Sequence, residues 1–205
     1  MKVYYAVIPC LFILAGCIHN YSPAEYLSDL QKNTEIIRQY SDDSHTIKCS
    51  YLPTTFLAIK DAQKVTGHEQ MKAEFKEAFK KYNNSAYFTL TLSSNTGENI
   101  LMENVRSKEE YFSRMNFLTS GMTDSFFIIQ EDGDTVKSSL YDYQRSYGNS
   151  PDATLLMVFP KSETVNNKEE SLKFYYKDKL LGLNQVARLV FDNKALKEDN
   201  INITF

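Results

Sequence analysis

The sequence predicts an α+β fold, a largely antiparallel β-sheet or sandwich with one or two amphipathic helices. Three observations lead there. Stretches of two-residue apolar alternation recur from residue 45 to the C-terminus, separated by turn residues. Two segments among them, near 67–82 and 107–121, carry a helical apolar period or a capping pattern. Strands and helices do not alternate regularly, which disfavours a doubly wound parallel sheet.

Residues 45–205 are expected to form this single globular domain. HTIKCSYL (45–52) alternates as a strand, with Ile47, Cys49 and Tyr51 on one side and Thr46, Lys48 and Ser50 on the other. Pro53 ends it. TTFLAIKDAQKVT is compatible with a strand or a helix, and Phe56, Ile59 and Ala62 on one helical face favour the helix. GHEQMKAEFKEAFKKY is the clearest helix. Met71, Phe75, Ala78, Phe79 and Tyr82 recur at spacings of three and four, with Glu69 near the start and Lys80 and Lys81 near the end. SAYFTLTLSS alternates as a strand. Asn95-Thr96-Gly97-Glu98 signals a turn, and NILMENV is expected to return as the partner strand.

A second helix is expected over SKEEYFSRMNFLTSG, with Ser107 and Glu110 in capping-box spacing and Gly121 as the stop. The rest reads as β. DSFFIIQED meets a turn at Asp132-Gly133, and TVKSSLYDYQRSYG follows. ATLLMVFP is apolar enough for a strand covered on both faces. LKFYYKD and QVARLVFD pair around Leu180-Leu181-Gly182-Leu183, and NINITF adds an edge strand.

The N-terminus carries a different signal. Met1-Lys2 is followed by an uncharged, largely apolar stretch from Val3 to Ile13. That is well short of the roughly 20 residues that cross a bilayer. A positive start, a short apolar middle and small residues make a secretory signal peptide, residues 1–16. Its end, Leu14-Ala15-Gly16-Cys17, resembles the lipobox of bacterial lipoprotein precursors. The resemblance covers about the first 17 residues and reaches no further into the chain. It implies that Cys17 receives a diacylglycerol, that the signal is cut before it, and that fatty acyl chains such as palmitate hold the protein to a membrane. Ile18 stands where an aspartate would mark inner-membrane retention in some bacteria, so the outer membrane is favoured over the inner. Residues 17–44 are expected to form a lipid-anchored tether, with a short helix from Ser22 and Pro23 and an apolar stripe of Tyr26, Leu30 and Ile37.

Composition narrows the function. The 205 residues carry 26 acidic and 23 basic side chains, a formal charge of −3 that becomes −4 once Lys2 leaves. No basic face for nucleic acid is indicated. After Cys10 leaves and Cys17 is acylated, Cys49 is the remaining thiol and reads as a small buried residue. The histidines are His19, His45 and His68, and no H-E-x-x-H, C-x-x-C or G-x-S-x-G pattern occurs. His45 and Cys49 share a strand face but lie roughly 13 Å apart at ~3.3 Å per residue, too far for a catalytic pair. EDGDT (131–135) reads as a hairpin turn before a calcium loop, and SDDSH (41–45) as solvated linker before a metal site. No catalytic residue, metal ligand or cofactor is assigned.

One surface segment stands out. YDYQRSYGNS (141–150) sets Tyr141, Tyr143, Arg145 and Tyr147 ahead of a glycine loop, and Tyr and Arg are enriched at binding hot spots. The expectation is a lipid-anchored cell-envelope protein, non-enzymatic, acting as an interaction or assembly component with an unknown envelope partner. The alternative is a small-molecule or glycan-binding lipoprotein. A carboxylate-dependent hydrolase is the third reading.

Overall fold

The computed structural model describes residues 19–147, 149–164, 170–180, 186–197 and 201–205. The signal segment, Cys17 and residues 181–183 of the last turn lie outside the described residues. Strand β1 (His19–Tyr21) leads into α1 (Pro23–Lys32). Ser22 caps α1: its Oγ accepts from the Glu25 N–H at 3.3 Å, and the Glu25 carboxylate accepts from the Ser22 N–H at 2.9 Å. A 3-10 turn (Thr34–Ile36) then enters β2 (Ile37–Ser41).

The stretch expected to form a spacer is thus built into the domain from residue 19 onward. Tyr26 and Ile36 are buried, and β2 pairs antiparallel with β3 (His45–Leu52). Ile37 belongs to β2 rather than to a helical stripe. The polar run 41–44 is the hairpin between the two strands. Asp42 accepts from the N–H of His45 at 2.7 Å and of Ser44 at 2.8 Å, and these bonds hold its carboxyl below the usual range.

On β3, Ile47, Cys49 and Tyr51 face the core as the alternation predicts. Cys49 is fully covered, and burial pushes its thiol well up, which leaves it inert. Two helices follow, α2 (Thr54–Ala62) and α3 (His68–Tyr82), packed on each other. Asp61 ties them: its carboxylate accepts from Tyr82 Oη at 2.6 Å, pairs with Lys64 and lies 3.6 Å from Lys81. The Lys64 and Tyr82 hydrogen bonds hold Asp61 below the usual carboxylate range. Of the apolar stripe on α3, only Ala78 is fully buried. The stripe rests on α2 and on the C-terminal Phe205, whose ring is 5.3 Å from Phe75, so it stays half-covered.

Strand β4 (Ser85–Ser94) pairs with β3 on one side and with β8 (Ala153–Pro160) on the other. This overturns the expected return strand at 99–105, because both edges of β4 are taken. That segment instead folds into turns. Asn99 Oδ1 accepts from the Leu101 N–H, its carbonyl accepts from Met102 and Glu103, and Asn104 takes a φ of 57°. Ile100 and Leu101 remain buried, which explains their apolar character without a strand.

Helix α4 (Lys108–Asn116) starts where Ser107 Oγ accepts from the Glu110 N–H at 3.1 Å. The reciprocal half of the cap is displaced by one residue: Glu110 accepts from the Arg106 N–H. The helix widens into a π-turn (Phe117–Gly121). Gly121 fits there because a Cβ would stand 2.5 Å from the Phe117 ring. Strands β5 (Phe126–Ile129) and β6 (Thr135–Lys137) form a hairpin through Gly133 at φ 92°. The chain then changes sheets, and β7 (Leu140–Gln144) pairs with β8. A short helix α5 (Lys161–Thr164) precedes β9 (Ser171–Lys177) and β10 (Val186–Asp192), which pair antiparallel. Finally β11 (Ile201–Ile203) pairs in parallel with β1.

Two antiparallel sheets result, a five-stranded β2-β3-β4-β8-β7 and a four-stranded β10-β9-β5-β6. Their apolar faces meet in one core. Phe88 on β4 touches Phe174 on β9 and Phe191 on β10, at ring separations of 6.1 and 5.7 Å. The α+β class with antiparallel sheets is the observed architecture.

One consequence is an alkaline weakness. Tyr176 on β9 is fully covered, and its hydroxyl donates to Asp178 at 2.9 Å. Burial, with the Asp178 charge, pushes its ionisation far above the normal range. The unfolded chain ionises this phenol near pH 10 while the folded one does not. Stability is therefore intact below pH 10 and falls above it by about 1.4 kcal/mol per pH unit for this group. Urea titrations between pH 9 and 11 are expected to show that slope. Tyr176→Phe is expected to shed this group's share of it, and an unchanged slope in the variant would be contrary to the assignment.

Candidate functional site

A cleft of about 880 Å³ lies between the 99–108 turns with α4 on one side and the end of β7 on the other. That size falls in the ~300–1,000 Å³ typical of small-molecule sites. Three short causes build it. The filled edges of β4 throw residues 99–105 out as turns, so Leu101, Met102 and Val105 form one apolar wall. Ser107 starts α4 immediately after, and a single helical face then offers Tyr111, Phe112 and Met115 as a second wall. The alternation of β7 supplies the third.

The four residues singled out in sequence separate here. Tyr143, Arg145 and Tyr147 line the cleft. Tyr141 does not: its ring stands edge-on to Phe126 at 5.4 Å, and its hydroxyl accepts from the Met122 N–H. Tyr141 is a partly buried residue that packs against the core and anchors the π-turn. Tyr143 is only 8% exposed, yet its hydroxyl has no hydrogen-bond partner among the described residues. Burial pushes its phenol above the normal range, Tyr111 adds to this, and Arg145 partly offsets it. Tyr147 is 86% exposed and holds a φ of 49°, a backbone region that a bulky residue seldom enters.

The cleft combines two chemistries. Its walls are apolar, and Phe112 and Met102, at 59% and 56% exposure, stand open at the mouth. Three cationic side chains, Arg106, Lys108 and Arg145, also line it, and no carboxylate does. Nearby acids are otherwise engaged. Glu110 accepts from the Arg106 backbone and lies 3.6 Å from Arg114. Glu103 points away, into a separate cluster: its carboxylate accepts from His45 Nε2 at 2.8 Å and from Ser94 Oγ at 3.3 Å. Arg114 Nη1 donates to the Glu103 carbonyl at 2.7 Å. The serine meets the carboxylate and not the imidazole, so the cluster lacks a nucleophile–base contact. It works as a latch that holds the 99–105 turns to β3 and β4.

Among the described residues, no three His, Cys, Asp or Glu side chains gather as a metal site requires. No described helix is long and apolar enough to cross a membrane. Sequence reasoning missed Arg106, Lys108, Phe112 and the 99–105 wall. A signal was present: Phe112 sits beside Tyr111 in a short polar helix, more apolar surface than a helix this exposed needs for its own packing.

No protein-family profile matches the chain, and no curated protein matches it. One solved structure is similar over most of both chains, a "novel protein of unknown function" from Burkholderia pseudomallei K96243. It is 10% identical, with a TM-score of 0.41, covering 87% of this chain and 90% of that one.

Proposed function

We propose that this chain is a lipid-anchored cell-envelope protein, held through Cys17, whose domain binds a small molecule in the cleft beside α4. The cleft carries this reading: a concave, largely apolar space with a few polar groups converging on it is the usual form of a ligand site, and here the mostly buried Tyr143 lines it with a hydroxyl that has no described partner. It favours the ligand-binding alternative over the assembly component expected first, since Met102, Phe112 and Tyr147 converge on a concavity rather than spread over a flat face. The hydrolase reading draws no support from a cleft without a carboxylate in its lining. A glycan fits less well than an apolar molecule, because Leu101, Met102, Val105, Phe112 and Met115 give the walls more apolar surface than a polar ring uses.

The anchor follows from the lipobox residues alone. With β1 beginning at His19, an acylated Cys17 leaves one intervening residue, and the domain rides against the headgroups. The outer membrane remains the favoured address. The test has two parts. Cys17→Ser is expected to abolish labelling by a palmitate analogue and release the protein from the membrane fraction. Native mass spectrometry of the gently extracted protein is expected to show a small-molecule adduct that Met115→Trp, which fills the cleft, removes. Persistent labelling of the serine variant overturns the anchor, and an adduct indifferent to Met115→Trp overturns the site.

A further inference from the structure

The cleft's lining says more than that it binds something, and the inference below rests on the ligand-binding reading. We propose that the occupant is an anionic amphiphile: a carboxylate or phosphate head held at Arg106, Lys108 and Arg145, with an alkyl or aryl body lying on Met102, Phe112 and Met115.

Charge complementarity is the first support. The three cations share one cleft, and among the described residues none is paired with a carboxylate, although the chain as a whole is acidic. Three like charges around one concavity repel each other, and a bound anion relieves that cost. Tyr143 is the second and independent support. Its ring is largely buried, while its hydroxyl reaches the cleft without a described partner and can donate to an acceptor oxygen there. The body of the ligand follows from the walls. Methionines at 102 and 115 are adaptable and polarisable, and suit a flexible chain better than a rigid polar ring.

The test uses the full-length acylated protein in phosphatidylcholine nanodiscs and three photoreactive probes of equal length: a diazirine-bearing decanoate, decanol and decyltrimethylammonium. Crosslinks are mapped by mass spectrometry. The decanoate probe is expected to label peptides spanning 101–115 and 143–147, roughly tenfold more than either other probe, the ratio expected for one charge-assisted contact. The double variant Arg106→Gln/Arg145→Gln is expected to lose that excess and keep the weak decanol labelling. Competition by decanoate alone identifies a free amphiphile; competition by phosphatidylglycerol nanodiscs as well identifies membrane lipid as the source, and both outcomes uphold the anionic class. Equal labelling by decanol and decanoate overturns the anionic class while the ligand cleft stands. Preference for the ammonium probe overturns it too. Absence of cleft labelling by any probe overturns the ligand-binding reading itself.

Discussion

Phe88→Ala is expected to cost about 4 kcal/mol of folding stability, the usual toll for deleting a fully buried aromatic ring. Phe88 has no exposed surface and sits in β4, in the middle of the five-stranded sheet. Its ring meets four others: Tyr51 on the neighbouring strand at 5.3 Å, Phe159 at 5.9 Å, and Phe174 and Phe191 from the opposite sheet. Truncation leaves a void walled by rings from both layers. Rings that are themselves held by β-ladders collapse poorly into such a space, so the cavity cost adds to the lost transfer energy. Domains of this size are stable by about 5–15 kcal/mol, and the variant is left marginal. In urea, with a slope of ~1–3 kcal/mol per molar, the midpoint is expected to fall by roughly 2 M. Phe112→Ala is the control. It removes an equally large ring at the cleft mouth and is expected to change stability by no more than about 0.5 kcal/mol. A Phe88 variant as stable as the Phe112 variant would mean that the two sheets do not meet at this ring.

The contrast between these two phenylalanines shows what sequence reveals. Phe88 announces itself, because SAYFTLTLSS alternates at period two and every second residue points into the core. The same logic recovers β3, β9 and β10, and the helical period recovers α3. Local chemistry was also legible: the helix start at Ser22 and Pro23, Ser107 with Glu110, and Asp132-Gly133 act through hydrogen bonds or dihedral freedom that span a few residues. What stayed hidden depends on who pairs with whom. NILMENV has the composition of a strand, and only the occupation of both β4 edges turns it into a wall of the cleft. Residues 19–44 look like a spacer because their few apolar side chains suit no element alone, yet they suffice to cover an edge of an existing core. Half of the cleft was visible in the tyrosine-arginine alternation of 143–147. The other half comes from a segment about 40 residues earlier, and nothing local joins the two.

Breaking the latch under that segment is expected to have the second large effect, and a different kind. Glu103 and His45 are each about nine-tenths covered at the side chain, bonded at 2.8 Å. His45 Nδ1 is buried with no partner, so Nε2 is the nitrogen that serves the carboxylate. Glu103→Ala removes the acceptor for both His45 and Ser94 and leaves a covered imidazole with no partner at either nitrogen. Removing one member of such a buried pair costs about 3–5 kcal/mol in well-ordered sites. Here part of that cost is escaped, because residues 102–105, beyond the buried Ile100 and Leu101, are turns held by few other long-range bonds and can lift away from β3. The loss in global stability is therefore expected to be smaller, about 2 kcal/mol, with the remainder appearing as local opening. Hydrogen exchange is the measurement that separates the two. Amides of 102–105 are expected to lose protection well beyond the global change, while those of β9 and β10 fall only with it. The cleft shares Met102 and Val105 with the opened segment, so ligand affinity is expected to drop together with that protection. Glu103→Gln keeps an acceptor for Ser94 and is expected to retain most of both. If Glu103→Ala lowers protection evenly across all strands, the cluster is an ordinary core contact, and the geometry of the cleft is set by something other than His45.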